Sequence, residues 1–202
     1  EVVIVGDFET SAVMPSLETL VENWESEAAF ARIPEAAQVD LPGREITIET
    51  PDKANAVYLA GLNLAIKDGD ADFAPLVMAN FILGGGSLAS RLGDRVRQQE
   101  GLSYGIRSGF SAHPIDDRGR LTISAITNPI NRTKLEKAIS EELNRWIEEG
   151  ITEEELKRAQ QGYLQGQQLQ RSNDRVLTGL IGSTLVALSL IHISEPTRRL
   201  CI

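Results

Sequence analysis

Few residues in this chain have the types and spacing that chemistry needs. Gly101-Leu102-Ser103-Tyr104-Gly105 fits G-x-S-x-G, the nucleophile elbow of serine hydrolases. That elbow leaves a strand and enters a helix. Here a helical pattern comes before the serine and a strand pattern after it. Gly84, Gly86 and Ala89 fit G-x-G-x-x-A. A dinucleotide-binding turn must follow a strand, and this one follows a helix. Asp68, Asp70 and Asp72 stand at calcium-loop spacing. The loop then needs glycine sixth and glutamate twelfth. Phe73 and Ala79 occupy those places, so the carboxylates read as turn and cap residues. His192-Ile193-Ser194-Glu195-Pro196 has the outline of an H-x-x-E-H zinc helix. Proline stands where the second imidazole is required, and it disfavours the helix that would hold both ligands on one face.

The composition narrows the field further. The chain has 202 residues, 29 acidic and 20 basic, for a net charge of −9. That balance argues against a phosphate-backbone binder, which needs a clustered positive face. No nucleic-acid partner is expected. Apolar residues make up 42% and charged residues 24%, the proportions of a globular domain. No apolar run approaches the ~20 residues of a membrane-spanning helix. One cysteine permits no internal disulfide and no cysteine-based zinc site.

Both ends read as boundaries. Val2-Val3-Ile4-Val5-Gly6 reads as a buried strand with nothing before it to pair with, as in a piece of a longer protein. Leu188 to Arg198 reads as the in-frame translation of a transposase adapter used in making sequencing libraries. Residues 188–202 are therefore set aside as a scar, leaving residues 1–187 as one domain. Without that segment the net charge becomes −10, and Cys201 and His192 disappear. His113 is then the single histidine.

The elements follow from periodicity. Val2 to Gly6, Glu45 to Glu49, Ala56 to Ile66, Ser103 to Ala112 and Arg120 to Thr127 read as strands. Met14 to Trp24 carries apolar residues at helical spacing. Asp72 is placed to cap a buried helix with Pro75 in its first turn, ended by Gly84-Gly85-Gly86. Ser87 caps a more polar helix to about Gln99. Asn131 caps the next, with Ile130 and Leu135 as a hydrophobic staple. Leu135, Ile139, Leu143, Trp146 and Ile147 form its inner face, and Gly150 is its stop. Thr152 with Glu155 makes a capping box for a helix to about Gln170, with Ile151 and Leu156 as its staple. Its glutamines read as a solvated face. Asn173 starts a last helix. Strands and helices do not alternate as βαβ units. The expected fold is α+β, a mixed or antiparallel sheet with helices packed on one face.

Three stretches taken together carry more. They are Ile82-Leu83-Gly84-Gly85-Gly86, Ser90-Arg91-Leu92, and Arg97-Gln98-Gln99-Glu100-Gly101-Leu102-Ser103-Tyr104. With Val3-Ile4-Val5-Gly6-Asp7, Asp52-Lys53-Ala54 and Gly150-Ile151-Thr152-Glu153-Glu154-Glu155-Leu156, they resemble the pitrilysin/insulinase family of zinc metallopeptidases. The likeness is to the domain that follows the zinc-bearing domain in each half, and it runs from Val2 to Ala187.

The resemblance implies a division of labour. An H-x-x-E-H helix in another domain holds zinc, and its glutamate activates water. That motif is absent here, so this chain is expected to hold no cofactor, with zinc in a missing half, and to be inactive alone. The half without zinc contributes an arginine and a tyrosine seven residues apart that reach the peptide backbone near the scissile bond. Arg97 and Tyr104 match that pair. Their N–H and O–H groups can donate to a carbonyl gaining negative charge. Without the resemblance, Arg97 reads as a solvated helix residue and Tyr104 as core. Gly84, Gly85 and Gly86 stand where a glycine-rich loop helps capture substrate in non-catalytic processing-peptidase subunits. The stretch is shorter here, and by itself reads as a tight interhelical turn. The implied partners are a zinc-bearing half and a peptide substrate, and the implied compartment is the periplasm. A non-catalytic scaffold of the same family is the alternative.

Overall fold

The computed structural model describes residues 2–22, 24–25, 27–28, 31–86 and 89–191, with the side chains of 188–191 left aside. The described residues form two compact units. One comprises Glu35–Gly166 and holds the sheet and all the candidate site residues. The other comprises Glu1–Pro34 and Gln167–Ile202.

In the sheet-bearing unit, β1 (Ala56–Leu64), β2 (Ser103–Ala112) and β3 (Gly119–Thr127) form an antiparallel sheet in the order β1-β3-β2. Alternation sets what each face carries. Tyr58, Ala125 and Ile106 lie in one row and turn inward; Val57, Ile126 and Gly105 lie in the next and turn outward. Helices cover the inward face only. They are α2 (Phe73–Asn80), which continues into a π-helical turn (Phe81–Gly85), a second π-helical segment (Gly93–Gln99), and α3 (Arg132–Glu149). The core lies between these layers. Leu83, Leu92 and Val96 are wholly buried, and Ile106, Ile123, Ala125, Leu135 and Ile139 pack with them. This is the α+β arrangement that the pattern predicts.

Several local expectations are corrected. Residues 2–6 and 45–49 belong to no strand, and Gly6 lies in a bend. Val3 and Val5 are half-buried while Val2 and Ile4 are exposed, so the alternation is present. A β-branched run becomes a strand only when a neighbour completes its hydrogen bonds, and among the described residues none does. Asp72 sits at the N-terminus of α2, but its ψ of −10° is helical where a capping residue is extended, and its side chain makes no cap bond. Asn131 is likewise helical and caps nothing. The cap lies one short turn earlier, where Asn128 Oδ1 accepts from the Ile130 amide at 3.1 Å. Ile130 is 86% exposed, so it forms no staple. Ile147 is also exposed, and the inner face of α3 ends at Trp146. Gly84 and Gly85 lie inside the π turn, and only Gly86 ends it, its amide donating to the Phe81 carbonyl at 2.7 Å. Ser87 lies outside the described residues.

Other signals hold. Gly150 ends α3 with φ 69°. The Thr152–Glu155 capping box forms in both directions. The Thr152 amide donates to Glu155 Oε2 at 2.8 Å, and the Glu155 amide to Thr152 Oγ1 at 3.2 Å. It opens α4 (Glu153–Arg171), on which Gln160, Gln161, Gln165, Gln168 and Gln170 are exposed.

In the other unit α1 (Thr10–Glu22) and α5 (Asp174–Ile191) are the complete helices. Asn173 Oδ1 caps α5 by accepting from the Val176 amide at 3.2 Å. The helix continues past Ala187 to Ile191; residues 192–202, with His192 and Cys201, lie outside the described residues.

Candidate functional site

Two wholly buried side chains, Leu92 and Val96, anchor the second π segment against the sheet. Its end is built for a sharp return. Gly101 takes φ 59°, a conformation that costs any L-residue with a Cβ. The Leu102 amide then reaches back to the Val96 carbonyl at 2.9 Å. This is a Schellman-type ending widened by one residue, as a π turn requires. The last exposed turn of the helix is thereby laid beside the first residues of β2.

The start of β2 carries a bulge. Ser103 pairs with Thr127 and Gly105 with Ile126, so Tyr104 is the extra residue. Strict alternation back from the buried Ile106 would send Tyr104 into the core. The bulge turns it out instead, and it is 85% exposed. Bulges re-aim side chains in this way. Ser103 holds the distortion: it is buried, and its hydroxyl lies 2.7 Å from the Ile126 carbonyl and 3.0 Å from that of Gly105. Thr127 Oγ1 donates to the Leu102 carbonyl at 2.5 Å.

These devices bring Arg97 and Tyr104 together. The Arg97 guanidinium lies over the Tyr104 ring, 4.9 Å from its centroid. Among the described residues the Arg97 guanidinium makes no side-chain hydrogen bond, so it keeps N–H groups with which to donate. The other arginines of this region are committed elsewhere. Arg95 is held by Glu100 and, at 2.8 Å, by Glu141. Arg97 makes no ion pair among the described residues. One solvent-facing spot therefore holds a phenol O–H and an uncommitted guanidinium.

Arg91 and Glu155 link two of the motifs. Arg91 Nε and Nη2 donate to the two carboxylate oxygens at 2.7 and 2.9 Å, and Nη2 also donates to the Gly150 carbonyl at 2.8 Å. Glu155 thus serves the capping box and the bidentate pair together. The Arg91 hydrogen bond, with those from Thr152, outweighs burial and lowers the Glu155 carboxyl to about 2. Arg91 Nη1 is buried with no hydrogen-bond partner among the described residues. Sequence reading assigned Arg91 no task. The signal was its place in the Ser90-Arg91-Leu92 stretch.

The glycines divide. A Cβ on Gly84 would lie 2.5 Å from the Ser108 amide nitrogen, so Gly84 is a close-packing residue between the π turn and β2. Gly84 and Gly85 nevertheless border a groove of about 620 Å³ shared with Gly105, Arg107, Val57 and Ile126. Gly86 faces a different hollow, beside Arg91 and Glu155.

Among the described residues no group of three His, Cys, Asp or Glu side chains is placed to hold a metal ion. His113 Nδ1 accepts from the Ile115 and Asp116 amides at 3.2 and 2.9 Å, which fixes it within its own turn. No helix among the described residues is long and apolar enough to cross a membrane.

Solved structures share this architecture. A peptidase M16 inactive domain from Pseudomonas fluorescens is 29% identical, with a TM-score of 0.53 over 69% of this chain and 33% of that one. A protease from Helicobacter pylori superposes with a TM-score of 0.74 at 19% identity, over 94% of this chain and 46% of that one. The periplasmic protease PqqL of Escherichia coli gives a TM-score of 0.55 at 18% identity, over 93% of this chain and 20% of that one. The chain thus spans less than half the length of each of these three. A sequence comparison with curated proteins found no match. The family model described as the Peptidase M16 inactive domain matches residues 1–163. With that match running through the sheet, the bulge and the Arg91–Glu155 pair, the chain belongs to the peptidase M16 inactive-domain family.

Proposed function

We propose that this domain cradles a peptide for a zinc-bearing M16 half and steadies the scissile carbonyl through Arg97 and Tyr104. The observation that carries the reading is their stacking at the bulge. A tyrosine turned out of a strand register at the cost of a ladder bond, beside an arginine with no carboxylate, is arranged to meet something outside the domain. The Tyr104 O–H and the in-plane N–H groups of Arg97 donate to the carbonyl oxygen as negative charge gathers on it. Such donors gain strength when closure of two halves excludes water. The metal and the general base belong to the other half. Gly84 and Gly85 leave the neighbouring groove open to extended backbone.

The test is a peptidase assay of this chain alone, of a zinc-bearing M16 half alone, and of the two combined. Activity is expected only in the mixture. There Tyr104→Phe and Arg97→Ala lower kcat about ten-fold or more, with KM little changed, the signature of donors used in the transition state. Chelator-resistant hydrolysis by the isolated chain would refute the proposal. Unchanged kinetics in both variants would leave the domain as a scaffold that organises its partner.

A further inference from the structure

The face of the sheet without helices has strand positions whose charge is unlike that of the chain; residues 35–38 lie along its far end, where Asn63 Nδ2 donates to the Gln38 carbonyl at 3.1 Å and Glu35 borders the same hollow as Arg120. The protein carries −9 overall, yet no strand position on this face is a carboxylate. It presents Arg107 and Arg120, both exposed, and neither forms an ion pair among the described residues. Their side chains lie flat. Arg107 Nε donates to Ser124 Oγ at 3.3 Å, in its own cross-strand row. The Arg120 guanidinium leans over Gly61, its Nη2 3.5 Å from where a Cβ would stand, in the next row. Successive rows on this one face, two residues apart along each strand, are ~7 Å apart. The two guanidinia therefore match acidic side chains at alternate positions of one extended peptide.

The rows run on from the Tyr104 bulge. The first holds Val57, Ile126 and Gly105, apolar and 74% and 56% exposed at the two larger residues. The second holds Arg107, and above the third lies the Arg120 guanidinium. A peptide that runs from Tyr104 along the strands of this face meets them in that order. Gly61 and Gly109 face each other across Thr122 in the third row, leaving bare backbone beneath it.

We propose that this face selects the peptide. It takes an apolar side chain next to the scissile bond and, two to four residues further on, acidic side chains that pair with Arg107 and Arg120. The inference rests on the peptide-cradling reading above and deepens it to a substrate class. Arginine is suited to the task because its planar fork takes a carboxylate through two parallel bonds.

The experiment measures binding of fluorescein-labelled twelve-residue peptides to the full chain by anisotropy. Each peptide carries one leucine followed by two glutamates at alternate positions, or two glutamines, or two lysines. The glutamate peptide is expected to bind at least about ten-fold tighter than the glutamine peptide, with the preference falling as salt rises, and the lysine peptide weakest. In Arg107→Gln/Arg120→Gln the glutamate advantage shrinks to about two-fold or less, whereas Lys134→Gln on α3 preserves it. Equal binding of the glutamate and glutamine peptides overturns the proposal, as does a preference that survives Arg107→Gln/Arg120→Gln. If peptides are not discriminated but association with a zinc-bearing half weakens about ten-fold in that variant, the face is a domain interface and the proposal falls. Tyr104→Phe separates the two readings. It keeps the glutamate preference even if its kinetics show that Tyr104 takes no part in cleavage.

Discussion

Glu155 is the residue whose titration can be followed. Its carboxyl is lowered to about 2, first by Arg91 and then by Thr152. A carboxylate whose pKa is depressed in the folded state stabilises that state fully above its unfolded value near 4.5. The contribution is lost as pH falls through about 2. Acid unfolding followed by circular dichroism should therefore show a component in that window, absent in Glu155→Gln. That variant is expected to be about 2 kcal/mol less stable at pH 7, because it loses the charge-assisted pair and half of the cap. Arg91→Ala should cost a similar amount, since it leaves the half-buried Glu155 carboxylate with only its Thr152 donors. Of these roles the sequence displayed the capping box, because Thr152 and Glu155 stand three apart. The Arg91 contact spans 64 positions, and no local pattern reports it. Arg97 and Tyr104 were legible as a pair only through the family resemblance. The outward turn of Tyr104 was hidden, because a bulge is an exception to the alternation that is read from sequence.

At the scale of elements the glycines give a graded test. A methyl group on Gly84 meets the β2 backbone, so Gly84→Ala should destabilise by about 2 kcal/mol or more in denaturant titration. Gly101→Ala meets nothing but must hold φ 59°, and about 1 kcal/mol is expected. Gly105 is open on its outer side, and Gly105→Ala should change stability by less than about 0.5 kcal/mol. Equal losses at all three would mean that the π turn does not pack as described. Helices and the sheet core were readable because their apolar periods are long and their stops are chemical: Gly150 and the Thr152 box are both where the pattern placed them. Residues 2–6 and 45–49 were misread for a reason that applies widely. Periodicity reports what a segment can offer to a sheet. Pairing depends on whether another strand is there to accept it.

At the scale of the sheet-bearing unit, a helical layer closes one side of the sheet and leaves the other without helices, with residues 35–38 along its Asn63 end. Reading residues 188–202 as a scar leads to a direct check. Removing them should leave the far-ultraviolet spectrum unchanged and shift Tm by no more than about 2 °C. A larger loss would make that segment part of the fold. The two-layer plan was legible because the order of elements excluded βαβ winding. The charge of the helix-free face was not, since arginines far apart in sequence become neighbours only through register. The Tyr104 bulge carries one further meaning. Deleting that single codon would bring Ser103 and Gly105 into consecutive register with Thr127 and Ile126, a regular ladder, without removing any residue of the buried core. On the proposed reading, the shortest genetic route from an assisting domain to a passive one is then a three-nucleotide loss. Descendants that have lost the activity should be sought first among chains one residue shorter at this point.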